Sequence, residues 1–374
     1  MEPLRVLQVG MSPCYGGTES FLMGIYRKID RKKVQFDFLN VYDEEIACQS
    51  EIESMGGKIL YVKFRRREGI HNYYKGIKDF FEKHKDYMVI HCHYQGLQNI
   101  DMISYAAKAG IPVRIAHAHS SGYEEEPGFP LRALIYYNRW KINRVATEFF
   151  ACSELAGSWM FGKTVDEGIE VINNSIDAEK FRYDDAERIN VRKQLNLEGR
   201  FVVGTVGRFA NQKNTVFLVE VFSEILKARE DAFLLLVGDG MLRDEVERKI
   251  EQLGLGSSTK LLGAREDTNR ILQGMDVFVL PSKAEGFGTV LVEAQTSGLK
   301  CFASENVIPE SAKVTDLLSF IPLESGAKVW AKTISEESDY KRSDRYETIV
   351  ESGYDINDNV KMIENTYLKL VGRK

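Results

Sequence analysis

Ser282-Lys283-Ala284-Glu285-Gly286-Phe287-Gly288-Thr289-Val290-Leu291-Val292-Glu293 is the stretch from which the rest of this chain can be read. The apolar run before it, Asp276 to Leu280, reads as a buried parallel strand, and a helical pattern opens near Thr289 and ends at Ser297-Gly298. The order is strand, glycine-rich turn, helix. Gly286 and Gly288 let the backbone come close to a ligand, and the amides of a helix's first turn favour an anion, most simply a phosphate. Glu285 stands at the strand tip, and Glu293, eight positions on, lies one turn beyond Thr289 on the same helix face, so both carboxylates can face one cleft. Carboxylates repel phosphate but accept hydrogen bonds from hydroxyls. A ligand that carries both phosphate and sugar, a nucleotide sugar, satisfies the whole stretch.

The 374 residues exceed the usual size of one core, so two domains are expected. Hydrophobic residues make up 44% and charged residues 28%, ordinary for a globular protein. The net charge of −5 argues against a nucleic-acid partner. Cys14, Cys48, Cys92, Cys152 and Cys301 are scattered singly with no CxxC pair, which suits a reducing cytoplasm. The apolar run Leu4 to Val9 is too short for a secretory signal, and nothing approaches the about 18 apolar residues of a membrane span. Any membrane contact is therefore expected to be peripheral, at the inner face.

Leu4 to Gly10 reads as a first strand, followed by Gly16-Gly17 and a helix from about Thr18. The dinucleotide fingerprint G-x-G-x-x-G is absent, which disfavours a nicotinamide site. Val34 to Val41, Lys58 to Val62, Val89 to His93 and Val113 to Ala118 are further strands separated by helical stretches, and Phe149 to Ser153 reads as the last strand of the first domain. Such alternation builds a parallel sheet with ligands outside its carboxyl ends. His91, His93, His117 and His119 sit at two such ends, with His93 and His119 expected to reach the cleft. A zinc site is the competing reading, disfavoured because no third ligand set accompanies H-x-H. The run Lys63 to Arg67 is either a solvated loop or a contact for a diphosphate-linked acceptor or anionic headgroups. Residues 130–146 form a helix with Leu134, Tyr137 and Ile142 on one side, packed on its own sheet or lying on a membrane surface.

In the second half, Phe201 to Gly207 is a strand with Arg208 at its end and Lys213 in the following polar loop. Two cations converging opposite a glycine-rich helix start make a diphosphate clamp, whereas two solvated surface cations are the bland alternative. Phe233 to Gly240 is another strand with a Gly-Asp-Gly turn, and Lys260 to Gly263 leads into Arg265, Glu266 and Asp267. After Gly298 the pattern loses definition until a final helix at Asp358 to Val371.

Glu285-Gly-Phe-Gly followed by Glu293 resembles the Glu-x7-Glu signature of retaining glycosyltransferases of family 4. Gly16-Gly17-Thr18-Glu19 is similar to that family's GG(A/T)E loop, Arg114 to Ser120 to its strand whose terminal histidine contacts the donor sugar, and Arg208 with Lys213 to its basic pair. Val171 to Asp177 resembles its interdomain turn, keeping Asn174 and Asp177 but carrying Asn173 and Ser175 in place of Pro and Gly. The segment after Asn306 departs from typical members and resembles an exopolysaccharide and capsule subgroup.

These matches run in the family's order over nearly the whole chain. They imply the α/β GT-B fold, two Rossmann-like domains facing each other across a cleft, at residues 1–175 and 176–345, with residues 346–374 a helix crossing back. They imply catalytic roles for His119, Arg208, Lys213 and Glu285, and donor contacts by Gly16, Gly17, Gly286, Phe287, Gly288, Thr289, Glu293, Gly263, Arg265 and Glu266, with uracil held near Gly263 to Glu266. His93, Arg65 and Arg66 are the acceptor-side candidates. The expected reaction moves a hexosyl unit from a UDP-sugar to a hydroxyl on a saccharide acceptor, possibly lipid-linked, with retention, no metal and no cofactor. A nucleotide-sugar epimerase and a non-catalytic nucleotide-sugar-binding protein remain the alternatives.

Overall fold

The computed structural model describes residues 2–62, 69–123, 127–162 and 168–372. The chain forms two compact units, Met1–Ser175 with Ile356–Lys374, and Ile176–Asp355.

The first unit holds seven strands: β1 (Leu4–Val9), β2 (Val34–Asn40), β3 (Ile59–Tyr61), β4 (Val89–Tyr94), β5 (Val113–Ala118), β6 (Glu148–Ala151) and β7 (Ile169–Val171). They pair in the order β3-β2-β1-β4-β5-β6-β7, all parallel. The sheet therefore ends on β7 and not on the expected strand near Phe149. Three residues are too few to show an alternation in sequence.

The second unit holds β8 (Phe201–Val206), β9 (Ala232–Val237), β10 (Thr259–Leu261), β11 (Val277–Leu280), β12 (Lys300–Ser304) and β13 (Leu318–Ile321), ordered β10-β9-β8-β11-β12-β13 and again all parallel. Helices cover both faces of such a sheet, and the strands are accordingly near-continuous Val, Leu and Phe runs buried along their length. The strand order reverses between β1 and β4 and between β8 and β11. At these switch points successive loops leave to opposite sides and open a crevice at the carboxyl ends.

Asp276, just before β11, fixes the second of these junctions. Its backbone N–H donates to Val202 O at 2.8 Å, and its carboxylate accepts from Val202 N at 2.7 Å. Arg188 and Arg192 hold the same carboxylate at 2.5 and 3.1 Å.

The last helix, Ile356–Leu370, belongs to the first unit. Ile356, Val360, Ile363 and Tyr367 recur at helical spacing and enter the core formed by Val6, Phe21, Ile25, Tyr26, Phe36 and Phe38. Each buried apolar side chain of this size contributes about 1.5–3 kcal/mol. The sequence had assigned residues 346–374 to this returning segment, but the helix Tyr346–Glu351 lies in the second unit, and the change of unit falls after Asp355.

One glycine in the second unit has no substitute. Gly238, in the turn after β9, has φ +139°, and a Cβ there would stand 1.9 Å from the Gly207 carbonyl oxygen. Gly238→Ala is expected to cost at least about 1–3 kcal/mol in unfolding free energy, the scale of a forced backbone strain. Urea unfolding checks this, and an unchanged midpoint would contradict the packing described here.

Candidate active site

Because β8 and β11 are neighbours, the loops that follow them emerge side by side. The loop after β8 turns through the short 3-10 segment Asn211–Lys213, and the loop after β11 carries Ser282 to Gly288. Lys283 N donates to Gln212 O at 2.7 Å and pins one loop to the other. Lys213 Nζ then lies on Glu285 Oε1 in a close ion pair. Ser282, fully buried, donates its hydroxyl to the same oxygen at 2.9 Å. The Glu285 side chain keeps 8% of its surface exposed and that of Lys213 21%, so the pair sits at the edge of the solvent. Arg208, one residue beyond Gly207 at the end of β8, is exposed, and its guanidinium has no ion-pair partner among the described residues.

The helix Thr289–Thr296 begins beside this pair. Its N-cap is Gly288, left-handed at φ 81° and ψ 50°, and no side chain caps the first turn. Glycine takes that conformation without penalty. An uncapped helix start beside a lysine, with an arginine at the end of the neighbouring strand, is an arrangement that favours an anion. Phe287 does not belong to its surface. Its ring is 2% exposed and stacks on Tyr354 at 5.4 Å, so it anchors the turn to the core and leaves its backbone for a ligand.

Glu293 is half-buried on the same helix, and burial pushes its carboxyl up to about 7, opposed only by the charge of Lys180. Gly263 accepts a hydrogen bond from Gly238 N at 2.8 Å. Arg265 and Glu266 are exposed, and Arg265 spends both arms on Asp267 at 2.8 Å, which leaves main-chain groups as what this turn can offer.

In the first unit Gly16 is the N-cap of the helix Gly17–Lys28. The buried Glu19 side chain reaches back to Gly16 N at 3.0 Å and to Ser12 N and Oγ at 2.9 and 2.8 Å, holding the glycine loop in shape.

All four histidines at the ends of β4 and β5 lie in one buried cluster. His93 Nδ1 meets His119 Nε2 at 2.8 Å, and His91 Nε2 meets His117 Nδ1 at 3.1 Å. His93 Nε2 lies 3.0 Å from Gln8 Oε1, and His91 Nδ1 lies 2.6 Å from the Tyr367 hydroxyl, to which Gln8 Nε2 donates at 3.3 Å. Both His93 nitrogens are thus engaged inside the protein, which removes it from the expected acceptor contacts. Arg65 and Arg66 lie outside the described residues. Burial pushes all four imidazoles below their ordinary value, His119 to about 3, so they are neutral at pH 7.

The third nitrogen ligand that the sequence did not offer is present here. Nitrogens of His91, His93 and His117 lie within 4.8 Å of one another. Their directions suit shared protons better than a metal. The His91 and His117 rings are 11° from parallel with centroids 5.2 Å apart, close to the nitrogen separation plus two ring radii, so the lone pairs face each other along a line. His91 and His93 stack at 4.2 Å, and stacked rings cannot converge on one point.

Gln8 and Tyr367 were missed by sequence reasoning. The one signal for Gln8 was an amide inside the apolar run Leu4 to Val9; Tyr367 gave none.

Two parallel-sheet Rossmann-like domains, with basic and acidic side chains at the second sheet's switch point, define a GT-B glycosyltransferase fold. Solved structures agree: Anabaena HepE in complex with UDP and glucose superposes with a TM-score of 0.73 at 19% identity, over 99% of this chain and 96% of that one. The chain belongs to the group 1 glycosyltransferases. Residues 187–314 match the family described as "Glycosyl transferases group 1", and the putative glycosyltransferase EpsF of Bacillus subtilis is 33% identical over 371 residues, 97% of this chain and 96% of its own length. An Escherichia coli enzyme named for transfer from UDP-Gal to GlcNAc-diphosphoundecaprenol is 30% identical over 218 residues, 55% of each chain.

The Glu293 carboxyl gives a pH test. Its value is raised from 4.5 in the unfolded chain to about 7, so the folded protein binds more protons between these limits. Its contribution to stability is complete below about 4.5 and is lost as pH rises towards 7. Glu293→Gln is expected to flatten that part of the melting-temperature profile, measured calorimetrically without ligand. An identical profile in the variant would show that this carboxyl titrates normally.

Proposed function

We propose that the enzyme transfers a hexosyl unit from a UDP-sugar to a hydroxyl of a saccharide acceptor carried on a lipid diphosphate, in the assembly of an exopolysaccharide or capsule, with retention at the anomeric carbon and without a metal. The observation that carries the reading is Lys213 held on Glu285 beside the uncapped helix start at Gly288, with the Arg208 guanidinium without an ion-pair partner among the described residues. As the bond from C1 to the donor phosphate breaks, negative charge grows on the diphosphate. Arg208, Lys213 and the first-turn amides are the groups that stabilise it, supplying by fixed dipoles and cations what a metal supplies elsewhere. Glu285 orients the sugar hydroxyls. Glu293 accepts from ribose hydroxyls, and with its carboxyl raised to about 7 its protonated form donates to them. Gly263 to Glu266 offer main-chain groups to the base, and for Gly16-Gly17 and His119 it is the family resemblance that supplies the roles, phosphate and sugar. The acceptor hydroxyl bonds to C1 and its proton passes to the leaving phosphate. The relatives support the donor and acceptor classes: HepE is solved with UDP and glucose, and the Escherichia coli enzyme is named for UDP-Gal and a lipid diphosphate.

Calorimetric titration with UDP and GDP, with and without EDTA, tests this. UDP is expected to bind with a Kd in the micromolar range, insensitive to EDTA, and Arg208→Ala to weaken it by about 1.5–3 kcal/mol, the range for hydrogen bonds to charged groups. Binding lost with EDTA would refute the metal-free mechanism, and absence of any nucleotide binding would refute the donor assignment.

A lipid-borne acceptor calls for contact with the bilayer, and the helix Phe129–Val145 is suited to it. No described helix is long and apolar enough to cross a membrane. This one buries Ile135, Asn138 and Ile142, not the expected Leu134 and Tyr137, and leaves Phe129, Tyr136, Tyr137 and Trp140 between 54% and 81% exposed. It carries Arg132, Arg139, Lys141 and Arg144 and no acidic residue, in a chain of net charge −5. Exposed aromatics among cations suit an anionic headgroup layer. Sedimentation with vesicles containing phosphatidylglycerol is expected to carry down the wild type, with Trp140→Ala/Arg144→Ala partitioning at least about tenfold less, from the loss of one aromatic anchor and one cation worth about 1 kcal/mol. Equal sedimentation of wild type and variant would reject this surface.

A further inference from the structure

Gln8, His91, His93, His117, His119 and Tyr367 form one unbroken hydrogen-bonded chain inside the first unit, and each is at least nine-tenths buried. One amide sets its polarity. Gln8 turns its oxygen to His93 and its nitrogen to Tyr367. An amide oxygen only accepts, so His93 carries its proton on Nε2, and its Nδ1 in turn accepts from His119 Nε2. An amide nitrogen only donates, so the Tyr367 hydroxyl gives its own proton to His91 Nδ1, and His91 donates from Nε2 to His117 Nδ1. All four neutral imidazoles fall into the Nε2–H tautomer. Reversing the Gln8 amide would drive all four to Nδ1–H, because no link can change alone without setting two donors or two lone pairs against each other.

The two ends of the chain differ. His117 Nε2 is a sealed dead end without a polar partner, with Phe21 and Phe150 standing at 86° and 81° to its ring, an arrangement in which an N–H meets an aromatic face. His119 is the open end. It keeps 7% exposure, its Nδ1 has no hydrogen-bond partner among the described residues, and it follows β5 at the carboxyl edge of the sheet, where this fold binds its ligand.

We propose that Gln8 is a positioning residue that holds His119, through His93, as the Nε2–H tautomer, so that its Nδ1 lone pair stands ready to accept a hydrogen bond from a hydroxyl of the donor sugar. This rests on the reading of His119 as a donor-sugar contact. A histidine with both tautomers open would meet the hydroxyl as a donor in part of its population and lose the orientation that the transfer needs.

The test is long-range proton–nitrogen NMR on protein labelled with nitrogen-15 histidine, for the wild type, Gln8→Met and Tyr367→Phe, followed by addition of UDP-glucose. In the wild type His91, His93, His117 and His119 are expected to show the Nε2–H pattern. Tyr367→Phe, the milder change, should release His91 and His117 while His93 and His119 stay as they were, and Gln8→Met should turn His119 into a tautomer mixture. Turnover of Gln8→Met is expected to fall in kcat on the order of tenfold to a hundredfold, the range for removing an outer partner of a functional histidine, with KM little changed. An Nδ1–H pattern at His119 in the wild type, or an unchanged His119 pattern in Gln8→Met, overturns the proposal. If the tautomers are as stated and the sugar leaves the His119 Nδ1 resonance unmoved, the sugar-facing role is overturned and the locked tautomer stands. Should Gln8→Met fail to fold, the contrast between the two arms in Tyr367→Phe decides alone.

Discussion

Asp276 exchanges two hydrogen bonds with Val202, backbone to backbone and backbone to carboxylate, and so fixes β11 against β8 where the second sheet reverses its strand order. The candidate site follows from that one junction. Two loops that leave adjacent strand ends cannot diverge before Gln212 and Lys283 meet, and within that constraint Lys213 falls on Glu285. The pair is only partly removed from water, so its attraction does not have to offset the full desolvation of two buried ions. Losing either partner would leave the other poorly solvated in a crevice built for it, which is a stronger constraint on the sequence than the small net stability of the pair.

The parts of this arrangement that were legible in the sequence are those written in short range. A β-branched or leucine run, a glycine turn and a helix start within about a dozen residues gave β1, β8, β9 and β11 and the motif loop nearly to the residue. Other features were illegible for identifiable reasons. β7 (Ile-Glu-Val) and β13 (Leu-Ser-Phe-Ile) are as short as β3 and β11, but Glu170 and Ser319 interrupt them, so no continuous apolar run marks either. The face of the helix Phe129–Val145 was misjudged because its large apolar residues are exposed and an asparagine is buried, the reverse of the rule that periodicity relies on. Phe287 sits inside the motif but serves the core, a division of labour that a motif cannot announce.

The histidine cluster was half legible. The pattern H-x-H on two neighbouring strands placed the rings near one another, but what they do there depends on Gln8, 85 positions before His93, and on Tyr367, 276 positions after His91. Six polar side chains in an interior are costly unless nearly every donor and acceptor is matched. Here the matching is complete except at the two ends of the chain, His117 Nε2 and His119 Nδ1, and it comes from three strands and the last helix together. A single-residue change in such a chain is felt several rings away, whereas the apolar core on the other residues of the same strands responds only locally.

The division of the chain also orders its folding. Residues 176–355 are contiguous and carry their whole core with them, so on a ribosome this half can close as soon as it has emerged. The half that is synthesised first has to wait. Its core lacks Ile356, Val360, Ile363 and Tyr367 until the helix Ile356–Leu370 has left the exit tunnel, and until then a parallel sheet with an incomplete apolar face stands uncovered. The nascent protein thus matures from its younger half to its older one, and a chain cut before Ile356 would present chaperones with an intact second half tethered to an unfinished first.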